Sequence, residues 1–219
     1  GMLSGDSIHR RLMELPVENY LTTNYDFGLE NAVGFTGRFR TNAVVDEKRY
    51  SLFRRMQCDQ KSIWHIHGDG GRPGSICLGY EQYSGYLQAM RNYVVSGVEY
   101  KDYDQDSLIK RWATLDYNCW IDHFLKSDVY ILGLRLDFVE MHLWWILAFW
   151  SRRGRERRKS VAFTNKIVYY VPKKYHSKSC AKLRFLKAFD VETRVLDDGA
   201  DGRDKVRYYE KVVADIASD

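Results

Sequence analysis

Polar and apolar positions follow one another in segments that predict strands alternating with helices. An amphipathic stretch from Ser7 to Leu15 predicts a short helix, and the run from Asn19 to Thr23 predicts a strand that leads into a helix over Phe27 to Val33. The later predicted elements are the strand Ser62 to His67, the helices Glu81 to Val95 and Ser107 to Lys126, the strand Val129 to Leu134, the helix Phe138 to Ser151, the strand Lys166 to Val171, the helix Ser179 to Phe189, the strand Val191 to Leu196 and the helix Asp204 to Ala217. This alternation predicts an α/β fold with a doubly wound, mainly parallel Rossmann-like sheet and helices on both faces.

Length and composition favour one globular domain. The chain has 219 residues, of which 45% are hydrophobic and 15% aromatic, so it is unlike a disordered protein and suits a single core. We therefore expect one domain over residues 1–219. The segments 34–59 and 68–80 are less regular, and we expect them to form loops or a small lobe over a ligand crevice.

The chain start and the apolar segments predict a cytoplasmic protein without a membrane partner. The most apolar helix stretch, Leu143 to Trp150, is too short to span a bilayer and is followed by Arg152. The start lacks the features of a secretory leader, and Gly1 before Met2 resembles a cloning remnant. Within the same helix, the aromatic stripe of Trp144, Trp145, Phe149 and Trp150 is expected to lie in the core.

Charge and cysteine usage point to no strong specialisation. The formal net charge is +5, and much of the excess lies in the run 152–159, which we expect to be a solvated loop, with contact to nucleic acid or an acidic partner as the lesser alternative. The four cysteines are scattered and contain no Cys-x-x-Cys pair. We expect reduced, mostly buried thiols and no structural zinc.

The string Thr22-Thr23-Asn24-Tyr25-Asp26 stands at the end of the first predicted strand. In an extended segment the side chains of Asn24 and Asp26 leave one face and that of Tyr25 leaves the other. In an α/β sheet, polar groups at this position can meet a ligand. The alternative is local: Asp26 caps the next helix, and Asn24 is suited to a tight turn.

A second cluster, Ile63-Trp64-His65-Ile66-His67-Gly68, ends the next predicted strand. Two positions apart on a strand, His65 and His67 are predicted to share one face, but without a defined third ligand we expect no metal there. His65 is expected to be a buried, hydrogen-bonded core residue. His67 is followed by Gly68, which allows a sharp turn and would leave the imidazole facing the crevice.

The turn Gly133-Leu134-Arg135-Leu136-Asp137 follows a strongly apolar strand and precedes a helix. Free backbone N–H groups at such a turn can bind a phosphate. An ordinary turn with Asp137 as the helix N-cap is the alternative.

These three motifs, in this order, resemble the sirtuin-like NAD-binding domains of the silent-information-regulator superfamily, from about Tyr20 to Val171. The resemblance implies that Asn24 contacts the nicotinamide ribose and positions water, that Asp26 holds the carboxamide, and that His67 is the catalytic histidine. By the same resemblance the remaining contacts to the dinucleotide come from Thr22, Gly133, Leu134 and Arg135.

Two departures from the family pattern shape the expected function. The cysteine quartet and the peptide lobe of the deacylating members are missing, so the chain looks like the shorter bacterial sirtuin-like domains of NAD-degrading defence proteins, and lysine deacylation is not expected. A Gly-Ala-Gly loop should precede the first helix, where only Met2 to Gly5 stand, which puts full NAD affinity in doubt.

Two functional hypotheses follow from this comparison. The first is an NAD glycohydrolase, impaired by the missing glycine-rich loop, that takes NAD as substrate and needs no metal. The second is a non-catalytic module that senses NAD or ADP-ribose, or that docks to a partner protein or another copy of itself.

Overall fold

The computed structural model describes residues 3–34, 39–40, 47, 49–100, 103–155, 163–197 and 205–219. The helices are α1 (Leu3–Glu14), α2 (Gly28–Ala32), α3 (Tyr80–Arg91), α4 (Trp120–Lys126), α5 (Met141–Arg155), α6 (Lys173–His176), α7 (Cys180–Ala188) and α8 (Lys205–Ala217). The strands are β1 (Asn19–Thr22), β2 (Phe39–Arg40), β3 (Arg55–Cys58), β4 (Lys61–His65), β5 (Val98–Tyr100), β6 (Tyr103–Gln105), β7 (Val129–Ile131), β8 (Ile167–Pro172) and β9 (Glu192–Leu196).

The chain has an α/β fold, but its described strands form three small sheets where a single Rossmann-like sheet was predicted. One sheet has the order β1-β4-β3-β2, in which β1 and β4 are parallel and the other pairs are antiparallel. A second has the parallel order β7-β8-β9, and β5 and β6 form an antiparallel hairpin. Within the described residues β1 pairs only with β4 and β7 only with β8, so hydrogen bonds do not join the two larger sheets.

The antiparallel strand β3 lies in the segment 34–59, for which loops or a small lobe were expected. Its polar and apolar residues alternate between half-buried and buried positions, as a strand with one core-facing side requires. Asp59, in the left-handed region with φ 52°, then turns the chain into β4. Residues 35–38, 41–46 and 48 of the predicted lobe lie outside the described residues.

The long helix predicted over Ser107 to Lys126 is wrong, because the chain breaks before α4. Tyr117 adopts a left-handed conformation with φ 53°, which no helix can accommodate. The Oδ2 atom of Asp122 then accepts a hydrogen bond of 2.9 Å from the backbone N–H of Cys119. This capping contact starts the helix at Trp120.

The other predicted elements are present with shifted ends. The helix predicted from Phe138 begins at Met141, because Leu136 has φ 52° and the chain turns before the helix can start. The predicted start of the last helix, Asp204, lies outside the described residues, and α8 is described from Lys205.

The core of the molecule joins the two larger sheets. Trp64 and Ile66 belong to one large apolar cluster together with Tyr169 of β8. The alternate residues of β8, Val168 and Tyr170, face a second cluster with α8. Helices therefore cover both faces of the parallel sheet β7-β8-β9, as predicted. None of the helices in the described part of the chain has the length and apolar character that a membrane crossing requires.

Candidate functional site

The turn after β1 is held by two of its own side chains. The Thr22 hydroxyl accepts a hydrogen bond of 3.1 Å from the backbone N–H of Asn24, and Oδ1 of Asp26 accepts one of 2.9 Å from that of Gly28. Strand β1 ends at Thr22, so the segment is not an extended strand at these positions; Asn24 and Asp26 are exposed, whereas Tyr25 is half-buried and its hydroxyl donates a hydrogen bond of 2.8 Å to Cys77 O. The expectation that Asp26 is the N-cap of α2 is wrong: Phe27 holds the N-cap position, and Asp26 binds the Gly28 N–H from the residue before it.

The turn after β4 lies beside the turn after β1. The two strands are parallel, with Thr22 opposite His65, so both turns leave the same edge of the sheet. Backbone hydrogen bonds continue beyond the strands: Ile66 N–H donates to Thr22 O at 2.9 Å, and Gly70 N–H donates to Tyr25 O at 2.8 Å. The parallel pairing of β1 and β4 therefore places Asn24 and His67 on neighbouring connections.

Gly68 allows the sharp turn that was predicted after His67. Its φ is 88°, a conformation that favours glycine. A Cβ at this position would overlap the backbone carbonyl of Ser75 and lie 2.7 Å from Ile76 N. The approach of the 75–76 backbone therefore requires glycine here.

His65 is a buried core histidine, as expected. Its Nδ1 lies 2.9 Å from the Asn24 carbonyl oxygen and its Nε2 lies 2.7 Å from Oε1 of Glu30. Burial alone would lower the pKa of His65, but its hydrogen bond with Glu30 and the Glu30 charge raise that pKa above the usual 6.5.

His67 is buried against a second histidine. Its side chain is 2% exposed, and its Nε2 lies 2.8 Å from Nε2 of His142 in the first turn of α5. Burial lowers the pKa of His67 to about 4, and burial together with the nearby His67 lowers that of His142 to about 3. Both rings are therefore neutral near pH 7, and one donates its Nε2 proton to the other.

The prediction that His65 and His67 share one face is wrong. Strand β4 ends at His65, and Gly68 N–H donates back to His65 O at 3.0 Å, so the strand alternation does not reach His67. His65 packs against Phe27 with ring centroids 5.5 Å apart, whereas His67 packs against Tyr83 at 5.4 Å. The two imidazoles thus have separate surroundings.

The turn after β7 is fixed to other elements than Asn24 and His67. The Tyr169 hydroxyl donates a hydrogen bond of 2.7 Å to Leu134 O, and the Lys182 ammonium donates to Arg135 O. Gly133 has φ 68°, and a Cβ there would lie 2.8 Å from the Tyr209 hydroxyl. The Arg135 side chain is 88% exposed. These backbone contacts anchor the turn to β8 and α7.

The far end of the same connection, with Glu140 and His142, lies near Tyr83 and His67. Oε2 of Glu140 accepts a hydrogen bond of 2.9 Å from Asp137 N–H, and His142 follows two residues later. Burial raises the pKa of Tyr83 to about 12, with Tyr25 and Glu140 adding to the rise. The Tyr83 ring also stacks on His142 at 5.2 Å. The connections after β1, β4 and β7 therefore meet around His67.

Sequence analysis missed two residues of this arrangement, His142 and Glu30. Each is a polar residue within a predicted helix, where a buried position was not anticipated. The signal was present for His142, since it begins the apolar run that ends at Trp150. Glu30 is 1% exposed and contacts His65 35 positions away, which local sequence does not reveal.

Other predicted features lie as follows. Cys58, Cys77 and Cys119 are buried free thiols, and Cys180 is exposed. In the described ranges, no three His, Cys, Asp or Glu side chains cluster closely enough to hold a metal ion. Of the basic run, 152–155 form the last turn of α5, where a solvated loop was expected, and 156–159 lie outside the described residues.

Comparison with known proteins gives one match. A family model described as "SIR2-like domain" matches residues 18–137, more than half of the chain. Searches among curated proteins and among solved structures each found no match. The matched segment includes the turns after β1, β4 and β7, and His142 lies just beyond it.

Proposed function

Because the chain belongs to the SIR2-like domain family, we propose that it binds NAD where the turns after β1 and β4 meet and hydrolyses the nicotinamide–ribose bond. The observation that carries this proposal is the pairing of the two turns. The Gly70 N–H to Tyr25 O hydrogen bond of 2.8 Å holds the segment of Asn24 beside that of His67. Polar groups at adjacent carboxyl ends of parallel strands are where α/β proteins bind ligands.

The exposed side chains of the site suit the parts of a dinucleotide. Asn24 offers an amide to a ribose hydroxyl, and Asp26 offers a carboxylate to the carboxamide N–H groups of nicotinamide. The exposed guanidinium of Arg135 is suited to a pyrophosphate, with which it can form paired, charge-assisted hydrogen bonds. Thr22, Gly133 and Leu134 complete the set through the backbone of their turns.

The reaction is the hydrolysis of NAD to nicotinamide and ADP-ribose. The glycosidic C–N bond breaks with its electron pair leaving on nicotinamide, and a water oxygen bonds to the ribose carbon of the resulting oxocarbenium-like centre. The proton that this water loses passes to a base. His67 supplies the base when its lone pair is free, because its low pKa keeps the ring neutral at pH 7.

The second candidate is a module that binds NAD or ADP-ribose without cleaving it. The burial of His67 favours this alternative, because the ring is 2% exposed and its Nε2 already contacts His142. A buried ring reaches a substrate atom only through its remaining nitrogen. The two candidates differ in whether nicotinamide is released.

Nicotinamide release measured by mass spectrometry tests the proposal, with protein in near-equimolar amount to NAD. Hydrolysis by the wild-type chain, lost in Asn24→Ala and kept in Asn31→Ala, is the expected result, because Asn31 is an exposed asparagine on the neighbouring helix α2. Binding of NAD without release in the wild type would favour the non-catalytic module. Absence of binding of both NAD and ADP-ribose would refute both candidates.

A further inference from the structure

We propose that Glu30 and His65 are positioning residues, which fix the Asn24 turn so that its amide meets the ligand in one orientation. The inference rests on the proposed function where it concerns activity, because that function places Asn24 at the ribose. His65 and Glu30 are both 2% exposed in their side chains and would not themselves touch the ligand.

The hydrogen bond between His65 and Asn24 has a defined direction. A carbonyl oxygen can only accept, so the Nδ1 atom of His65 must carry the proton in the 2.9 Å contact with Asn24 O. The tautomer of the ring is thereby assigned. If that proton left Nδ1, two acceptors would face each other and the Asn24 carbonyl would lose its partner.

Glu30 holds the other nitrogen of His65. Its Oε1 lies 2.7 Å from Nε2, and this contact raises the pKa of His65, so it favours the imidazolium, which donates from both nitrogens. In the imidazolium, Nδ1–H remains aimed at the Asn24 carbonyl oxygen. The buried charge-assisted contact is stronger than an ordinary hydrogen bond.

The hydrogen bonds of His65 to Asn24 and Glu30 link the two motifs of the site. Glu30 lies on α2, directly after the turn that contains Asn24, whereas His65 lies on β4. A ring bonded through both nitrogens, with Phe27 against it at 5.5 Å, cannot rotate. The Asn24 peptide plane is fixed in turn, and a displacement of about 1 Å at such a group can cost about a hundredfold in rate.

Two variants of Glu30 separate positioning from simple packing. In Glu30→Gln the side-chain amide can donate to a bare Nε2 of a neutral His65, which leaves Nδ1–H on the Asn24 carbonyl. In Glu30→Leu that partner is lost, so the ring is held through Nδ1 alone and can shift or rotate away from the Asn24 carbonyl. We expect kcat for nicotinamide release to fall about tenfold to a hundredfold in Glu30→Leu and to stay near the wild-type value in Glu30→Gln.

A second measurement does not depend on activity. In protein labelled with nitrogen-15 histidine and carbon-13 carbonyls, NMR correlation spectra report which nitrogen of His65 is protonated and the shift of the Asn24 carbonyl. Protonated Nδ1 in wild type and in Glu30→Gln supports the inference, together with a moved Asn24 carbonyl signal in Glu30→Leu. If Glu30→Leu does not fold, the wild-type spectra still decide whether Nδ1 of His65 is protonated, as the inference requires.

The kinetic measurement and the NMR measurement distinguish failure of the proposed function from failure of the inference. A wild-type chain that neither binds nor cleaves NAD would overturn the proposed function, while the spectra would still test the positioning of Asn24. An unprotonated Nδ1 in wild-type His65 would overturn the inference. So would a Glu30→Leu variant with the wild-type Asn24 signal and the wild-type rate.

Discussion

The imidazoles of His67 and His142 form a buried pair, with their Nε2 atoms 2.8 Å apart. One ring must donate and the other must accept, since neither is charged near neutral pH. Only the arrangement in which His67 donates leaves its Nδ1 lone pair free to act as a base. Nδ1 of His142 is buried without a hydrogen-bond partner among the described residues, so a proton there would be unpaired. The resting pair therefore favours the opposite arrangement, which predicts slow hydrolysis.

Removing the partner of His67 should lower the rate of hydrolysis. In His142→Leu the His67 ring loses the hydrogen bond that fixes its orientation, and we expect kcat for nicotinamide release to fall about a hundredfold, within the range of a general-base contribution. The KM for NAD should change little, because His142 is buried and does not reach the ligand. Steady-state kinetics by mass spectrometry provides the measurement.

His142→Gln is the matched control for that variant. The glutamine amide can donate or accept, so it can keep the hydrogen bond to His67 and should retain most of the activity. Equal rates in the leucine and glutamine variants would show that the polar contact has no role in the reaction.

The same pair predicts how stability depends on pH. The folded-state pKa values of about 4 for His67 and about 3 for His142 lie below the usual 6.5. The stability that the neutral rings contribute is therefore complete above about pH 6.5 and is lost as the pH falls toward 4, because the unfolded chain then binds more protons. Calorimetric Tm values between about pH 7.5 and 4.5 should fall less steeply in His142→Gln than in wild type.

Comparing wild type with His142→Gln cancels the contribution of other buried titrating groups to the pH dependence of Tm. His123, whose pKa burial lowers to about 4, and Glu47, whose pKa burial raises to about 7, are the same in both proteins. Parallel Tm curves for wild type and variant would contradict the assigned burial of the pair.

Gly68→Ala should destabilise the protein more than Gly34→Ala. Both glycines have positive φ, so each alanine costs about 1 kcal/mol in backbone strain. Only at Gly68 would the added Cβ overlap the Ser75 backbone, whereas no atom of the described residues lies within 4 Å of a Cβ at Gly34. We expect Gly68→Ala to lower the free energy of unfolding by about 2 kcal/mol more than Gly34→Ala, measured in urea. Equal losses would mean that the 75–76 backbone yields freely.

Arg135→Gln should weaken NAD binding. An exposed guanidinium that meets a pyrophosphate contributes a charge-assisted hydrogen bond, and its loss should raise the Kd about tenfold. Arg152→Gln, on an exposed position of α5, is the control. Calorimetric titration measures both, and an unchanged Kd in Arg135→Gln would remove this turn from the binding site.

Local sequence patterns correctly predicted several individual elements of the fold. The run Lys166 to Val171 identified the strand β8, and the glycine after His67 identified a sharp turn, whereas the continuous apolar run Val129 to Leu134 forms the strand β7, which is only half-buried. The alternation in Arg55 to Cys58 was equally informative, yet it lies in a segment judged irregular. The break before α4 depends on a left-handed Tyr117 and a buried Asp122, neither of which periodicity can reveal.

The site was predictable only in part, because long-range contacts decide its geometry. The motif residues Asn24 and His67 follow from their positions after two strands. The partners Glu30 and His142 do not, since each meets its histidine across 35 or 75 positions of sequence. The prediction of a single sheet was wrong for a similar reason. The local patterns of β1 and β7 do not show with which strands they pair, and in the described structure they belong to different sheets.

The most direct test of the central claim is nicotinamide release from NAD by wild type, His67→Ala and His176→Ala at high protein concentration. His176 is an exposed histidine on α6 and serves as the control. The account predicts slow release by wild type and by His176→Ala, and none above background by His67→Ala. Release by His67→Ala at the wild-type rate would contradict the assignment of His67 as the catalytic residue.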